Sequence, residues 1–211
     1  MREYFDLQLV DLNNKLVGMG VLIEDAIANT IDIIVNKNYD KLEDARLIEE
    51  KINESEKRIQ ALCLNLLLLQ APVAGDLRAV SSALKMITDM ERIGDQALDI
   101  AEMSVFFKNR ESIYAMTDIV EMANQASEMV NTAIDAFVRK DLELAKSIAQ
   151  RDDIIDGLFE DIKKELVDII HNDKELGLQA IDVMLIAKYL ERIGDHAVNI
   201  SEWVVFSITG E

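Results

Sequence analysis

Pro72 is the only proline in 211 residues, and only eight glycines accompany it. Proline and glycine are the residues that most often interrupt regular backbone, so a chain this poor in them must be built from long elements. Apolar residues recur at helical rather than strand spacing. Polar clusters able to stop or cap a helix fall at 36–40, 70–76, 109–112, 140–141 and 172–177. They divide the chain into segments near 3–36, 40–70, 75–108, 112–138, 141–171 and 176–208. Asp40, Asp76, Ser112, Asp141 and Asp173 are the expected N-caps. A segment of about 30 residues runs roughly 45 Å at 1.5 Å per residue, and such helices joined by short turns lie antiparallel as a bundle.

The chain also repeats itself. Glu91-Arg92-Ile93-Gly94-Asp95 recurs unchanged as Glu191-Arg192-Ile193-Gly194-Asp195, one hundred residues later. At the same offset Ala97, Ile100, Glu102, Val105 and Phe106 meet Ala197, Ile200, Glu202, Val205 and Phe206, and with a three-residue shift Ile52–Ile59 lines up with Ile155–Ile162. A period near 100 that covers three helices predicts an all-α protein of two tandem, pseudo-repeated three-helix bundles. We expect them end to end, residues 1–109 and 110–211, with the boundary near 109–111.

Charge narrows the function. Forty acidic residues stand against 22 basic ones, a formal net charge of −18. A chain this acidic is repelled by nucleic acid and by anionic membrane surfaces. Half its residues are hydrophobic, so it has the material for a core. The single Cys63 excludes an intrachain disulfide and a cysteine-rich zinc site. Residues 1–11 carry Arg2, Glu3, Asp6 and Asp11 rather than an apolar leader core. The most apolar run, residues 62–71, is too short to cross a bilayer, which takes about 20 residues. The expectation is a soluble, cytoplasmic protein without membrane insertion.

On a helical wheel Val80, Leu84, Ile87, Leu98 and Val105 fall within an arc of about 60°, read as the core-facing stripe, and Glu91 falls inside it. Asp95 and Asp99 step away from Glu91 by about 40° each, and Glu191, Asp195 and Asn199 repeat the arrangement. Carboxylates at the edge of an apolar stripe lose solvation and repel one another, so the pattern asks for a cation. The preceding helices supply more acid. About the turn at Pro72–Val73, Glu50 and Glu54 stand at the heights of Asp95 and Glu91; about the turn near Asp173, Asp152 and Asp156 match Asp195 and Glu191. All-oxygen ligands suit hard cations such as Mg²⁺, Ca²⁺, Mn²⁺ or iron. Against this stands the plain reading that surface carboxylates are simply solvated, with Arg92 and Arg192 as their counter-charges. Gly94 and Gly194, costly inside helices, point to close helix packing.

Nothing in the residues argues for catalysis. His171 and His196 lack the Glu-x-x-His spacing of a di-iron oxidase bundle. Cys63, Trp203 and the nine methionines read as core.

These motifs resemble a known family. Two tandem three-helix bundles, each ending in Glu-Arg-Ile-Gly-Asp-x-Ala-x-(Asp/Asn)-Ile-x-Glu, are similar to the PhoU family, and the opening Met1-Arg2-x-x-Phe5-Asp6-x-x-Leu9-x-x-Leu12 with Met19-Gly20 resembles its first helix. The resemblance implies a cytoplasmic negative regulator of phosphate uptake. It would act with the ATPase subunit of the phosphate ABC importer and with the associated sensor histidine kinase, as a homodimer; the acidic charge, for its part, argues against binding nucleic acid. It also implies surface metal clusters, iron or zinc in some members, at Glu91, Asp95 and Asp99 and at Glu191, Asp195 and Asn199. Glu49, Glu50, Asp152, Asp153 and Asp156 are the matching acids of the preceding helices. Asn53 stands where Asp156 falls in the second repeat, leaving Glu54 as its substitute. Two other readings compete: a structural tandem repeat of the spectrin type without metal, and a carboxylate-bridged metalloenzyme.

Overall fold

The structure, a computed structural model, describes residues 2–69, 74–105 and 118–210. Six long helices account for nearly all of them: α1 (Arg2–Asn36), α2 (Leu42–Leu69), α3 (Ala74–Val105), α4 (Ile119–Arg139), α5 (Leu142–Asn172) and α6 (Gly177–Thr209). Single 3₁₀ turns, Tyr39–Lys41 and Lys174–Leu176, lead into α2 and α6. Each expected segment corresponds to one of these helices; for the fourth, expected over 112–138, α4 begins only at Ile119, with Asp118 at its N-cap. The Pro72–Val73 turn, the Ser112 cap and the boundary near 109–111 lie outside the described residues.

The helix breaks have local causes. Asp141 caps α5 as expected, accepting a hydrogen bond from the Leu144 amide at 3.0 Å, and Lys140 before it turns left-handed at φ 53°. Asp173 caps the 3₁₀ turn before α6 through the Glu175 amide at 2.9 Å, rather than α6 itself. Two expected caps are displaced. Asp40 sits inside the Tyr39–Lys41 turn, and Asp76 lies in the first turn of α3, which already begins at Ala74. Neither carries the extended backbone of an N-cap, because helical winding starts before each of them.

Helices α1, α2 and α3 pack mutually, as do α4, α5 and α6, giving one bundle per repeat. Within the first, the Thr30 hydroxyl donates to the Ala97 carbonyl at 2.9 Å across α1 and α3. The bundles do not lie end to end. Helix α3 packs along α6 and α1 against α4, and one continuous core runs through both repeats from Phe5 to Val204. The residues that face each other fix the direction of α3 and α6. Lys85 lies over the Trp203 ring, Asp89 bonds Asn199, and Asp99 bonds Tyr189. Four residues onward from Lys85 to Asp89 are matched by four back from Trp203 to Asn199, and ten onward to Asp99 by ten back to Tyr189. The two helices are antiparallel, and a pseudo-twofold axis relates the repeats.

This pairing also corrects the core stripe of α3. The fully buried positions are Val80, Ala83, Met86, Ile87, Met90, Ile93, Ala97 and Ile100, whereas Leu84, Leu98 and Val105 are half-buried. A helix packed against α1, α2 and α6 together buries a broader face than a helix at one edge of a bundle, and that face is centred near Met90. Glu91 lies at its margin. No helix among the described residues is long and apolar enough to cross a membrane.

Candidate functional site

The glycine of each repeated motif sets the distance between the helices that carry the acids. A Cβ on Gly94 would lie 2.9 Å from Ile52 Cδ1, closer than real Cβ contacts come, and one on Gly194 3.0 Å from Ile155 Cδ1, a contact tight enough that the isoleucine would have to shift. Ile52 and Ile155 are equivalent positions on α2 and α5, fully buried. The motif glycines therefore serve close helix packing, as the sequence suggested, and bring the acids of α2 toward α3 and those of α5 toward α6. At Gly194 the same Cβ would stand 3.5 Å from Asp152 Oδ1, so this carboxylate rests against the space glycine leaves.

In the second repeat Asp152 on α5 and Asp195 on α6 form the centre of the acidic face. Burial raises the pKa of Asp152, and Asp156, Asp195, Asp153 and Glu191 add to the rise. Burial and then Glu191 raise Asp195, with Asp156 adding to this and Lys188 and His196 opposing. The Lys188 ammonium contacts Glu191, a partial counter-charge from the same helix. Asp153 and Asp156 stand on the exposed side of α5.

The first repeat is built differently. Glu49, half-buried, is one α2 carboxylate that reaches α3; its pKa is raised by burial and by Asp95 and Glu50, while the Asn53 side-chain amide donates to it and opposes the rise. Burial and then Asp95 raise Glu91, with Glu56 and Glu49 contributing and Arg92 opposing. Arg92 lies 3.5 Å from both Glu91 and Asp95. Glu50 is exposed, and Glu54 is exposed and paired with Arg58 at 2.8 Å. The antiparallel heights assigned to Glu50 and Glu54 hold to within about a residue, since Ile52 meets Gly94. Height alone does not specify rotation, and one position on a helix is 100°. Asn53, not Glu54, occupies the place of Asp156.

Asp99 and Asn199 are drawn elsewhere. Asp99 accepts a hydrogen bond from the Tyr189 hydroxyl, and Asn199 donates to Asp89 at 3.1 Å. His196 Nδ1 lies 2.9 Å from the same Asp89 oxygen. Positions 89 and 189, and 99 and 199, are repeat equivalents, so these are the same contact seen twice about the pseudo-twofold. Neither Asp89 nor Tyr189 stood out in the sequence; their signal appears only once α3 and α6 are known to run antiparallel. Glu56 also went unnoticed, although it lies two helical turns from Glu49 on the same face.

Two crowded carboxylate faces result, each with only part of its charge compensated. Among the described residues no three His, Cys, Asp or Glu side chains are gathered as a ligand set. The donor chemistry nonetheless suits a hard cation: acidic oxygens without sulfur, flanked by like charges that a cation would offset. Asp152, Asp156, Glu191 and Asp195 provide four such groups in the second face, and Glu49, Glu91 and Asp95 three in the first.

Comparison with known proteins adds the family dimension. The PhoU domain pattern matches residues 16–104 and again 119–204. The "Phosphate-specific transport system accessory protein PhoU homolog" of Pseudomonas aeruginosa is 32% identical over 209 residues, covering 99% of this chain and 86% of that one. Its namesake in Clostridium acetobutylicum is 31% identical over 211 residues, 100% of this chain and 96% of the relative. The crystal structure of PhoU from Pseudomonas aeruginosa aligns with a TM-score of 0.94 at 31% identity, covering 98% of this chain and 100% of that one. That of the phosphate transport system regulatory protein PhoU from Streptococcus pneumoniae gives 0.89 at 28% identity, with 98% of each chain covered.

Proposed function

The chain belongs to the PhoU family, and on that premise we propose that it is an accessory regulator of phosphate-specific transport. In this reading it works in the cytoplasm by docking rather than by catalysis. It engages the ATPase subunit of the phosphate ABC importer and the phosphate-sensing histidine kinase, restrains uptake and the starvation response when phosphate is plentiful, and does so as a homodimer. The observation that carries the reading is the match of both repeats, with their helical frame, to proteins named for this transport system. The surface fits the role: a net charge of −18 favours partners with basic patches and disfavours DNA.

The acidic faces belong to the same proposal. Glu49, Glu91 and Asp95 would hold one hard cation, and Asp152, Asp156, Glu191 and Asp195 the other, with Glu50, Glu54, Asp153, Asp99 and Asn199 at their margins. Iron, zinc, magnesium and manganese are the candidates. A bound cation would supply fixed positive charge that offsets the carboxylate repulsion. The protein's own part is to hold α2 near α3, and α5 near α6, through the packing at Gly94 and Gly194.

Affinity purification of the tagged protein from cells grown in high phosphate tests the docking. The ATPase subunit or the kinase should co-purify and be lost as salt rises, because exposed charges are screened beyond about 8 Å at physiological ionic strength. Recovery of neither component would overturn the reading.

A further inference from the structure

The two repeats differ at one place where internal symmetry makes the difference legible. In the first repeat Arg46 on α2 reaches across to Glu102 on α3, its Nε and Nη2 donating to Oε1 at 3.0 and 2.9 Å. Beside it Leu42 packs on a small cluster of Ile33, Ala45 and Ala101. In the second repeat Glu102 is kept as Glu202, but Leu42 becomes Ala145 and Arg46 becomes Ala149. Where the two larger side chains would lie, a groove of about 520 Å³ opens between α5 and α6, walled by Ala145, Ala149, Val198, Trp203 and Phe206. Such a volume falls in the range of ligand pockets, about 300–1,000 Å³.

We propose that this groove docks a protein partner through an arginine accompanied by an apolar side chain, supplying from outside the Leu–Arg pair that the first repeat supplies itself. Three observations fit that occupant. Glu202 is exposed and makes no ion pair among the described residues, while Lys146 at the rim is directed to Glu143 at 3.8 Å. Arginine rather than lysine matches the geometry at Glu102, where two donors of one guanidinium share a carboxylate. Trp203, partly buried and set edge-on to Phe206 at 6.1 Å between ring centres, already receives one cation, Lys85 at 5.8 Å from its ring centre, and lines the groove with an aromatic wall of the kind on which a guanidinium also packs. The charge of −18 steers a basic segment toward the surface. The inference goes beyond the regulatory reading above and does not require the partner to be the importer or the kinase.

Trp203 is the only tryptophan in the chain, so tryptophan emission reports on this one side chain of the groove wall. The probes are two alanine-based helical peptides with leucine and arginine four residues apart, or leucine and glutamine at the same spacing. The arginine peptide should shift Trp203 emission saturably, and the glutamine peptide should bind at least about tenfold more weakly. Glu202→Gln should weaken the arginine peptide by a similar factor. Ala149→Arg, at an exposed helix position that tolerates the longer side chain, should fill the groove and abolish binding. Equal binding of the two peptides, no response to the arginine peptide at millimolar concentration, or full binding by Ala149→Arg would each overturn the proposal. Because the peptides are the probe, a failed importer interaction leaves this result intact, and the reverse also holds.

Discussion

His196 Nδ1 on α6 lies 2.9 Å from Asp89 Oδ1 on α3, a contact between two bundles that the chain order alone would have separated. Asn199 donates to the same oxygen at 3.1 Å. Both Asp89 and His196 are mostly buried, so their polar atoms depend on each other rather than on water. Asp89→Ala leaves two donors without an acceptor and should cost about 1–3 kcal/mol. Urea unfolding checks this, and the loss should appear in one cooperative transition because the core is continuous.

The glycines divide by what surrounds them. Gly94→Ala pushes a methyl onto buried Ile52, an overpacking cost of about 1–3 kcal/mol set against a helix-propensity gain of about 1 kcal/mol. The net effect should be destabilising, and Ile52→Val should relieve it in the double variant. Gly18, exposed and with nothing near its would-be Cβ, should behave oppositely: Gly18→Ala should stabilise by up to about 1 kcal/mol. Thermal melts of the three variants decide.

Acid should stabilise the metal-free protein before it destabilises it. Glu49, Glu91, Asp152 and Asp195 all titrate above their ordinary values, chiefly through burial and then, most directly at Glu91, Asp152 and Asp195, through neighbouring carboxylates. A carboxyl group of this kind binds protons more readily folded than unfolded. Its contribution to stability is present in full below the ordinary value near 4 and is lost as pH rises through the raised one. Asp32 acts in the opposite sense. Hydrogen bonds from Asn36 and Lys41 hold it down to about 2, so its contribution disappears as pH falls through that range. Melting temperature should therefore rise as pH falls from neutral toward the ordinary carboxyl range near 4, and turn over as pH falls on toward about 2. Asp152→Asn should flatten part of the rise. A steady fall from neutral pH downward would contradict the assignment.

Cation binding should follow the acids that face across the helices, not those that merely share their height. Calorimetric titration with Mn²⁺ should show binding that is lost in Asp95→Asn/Asp195→Asn and kept within about twofold in Glu54→Gln, whose carboxylate faces Arg58. Unchanged binding in the double variant would sink the site.

What the sequence made legible follows from periodicity. Scarce breakers and a hundred-residue repeat yield six helices, two bundles and the antiparallel register that puts residue 52 beside residue 94. Periodicity does not report rotation: height singles out Glu50 and Glu54, whereas Glu49, which the family resemblance names, and Glu56 are the α2 carboxylates felt by Asp95 and Glu91. It does not report how bundles meet either. A covered helix and an end helix read alike until the extra buried face of α3, from Met86 through Ile100, is seen. Trp203, read as core, does pack against the core, but it also lines a groove that periodicity does not show. Its wall lacks the side chains that Ala145 and Ala149 replaced, a deficit that only the paired repeats expose.

In its proposed role the protein restrains phosphate uptake when phosphate is abundant. The direct measurement is a phosphate-starvation reporter in a strain lacking the gene, grown in high phosphate, with and without the gene restored. The reporter should be on in the deletion strain and silenced by the restored gene. A deletion strain that keeps the reporter silent in high phosphate would contradict the claim.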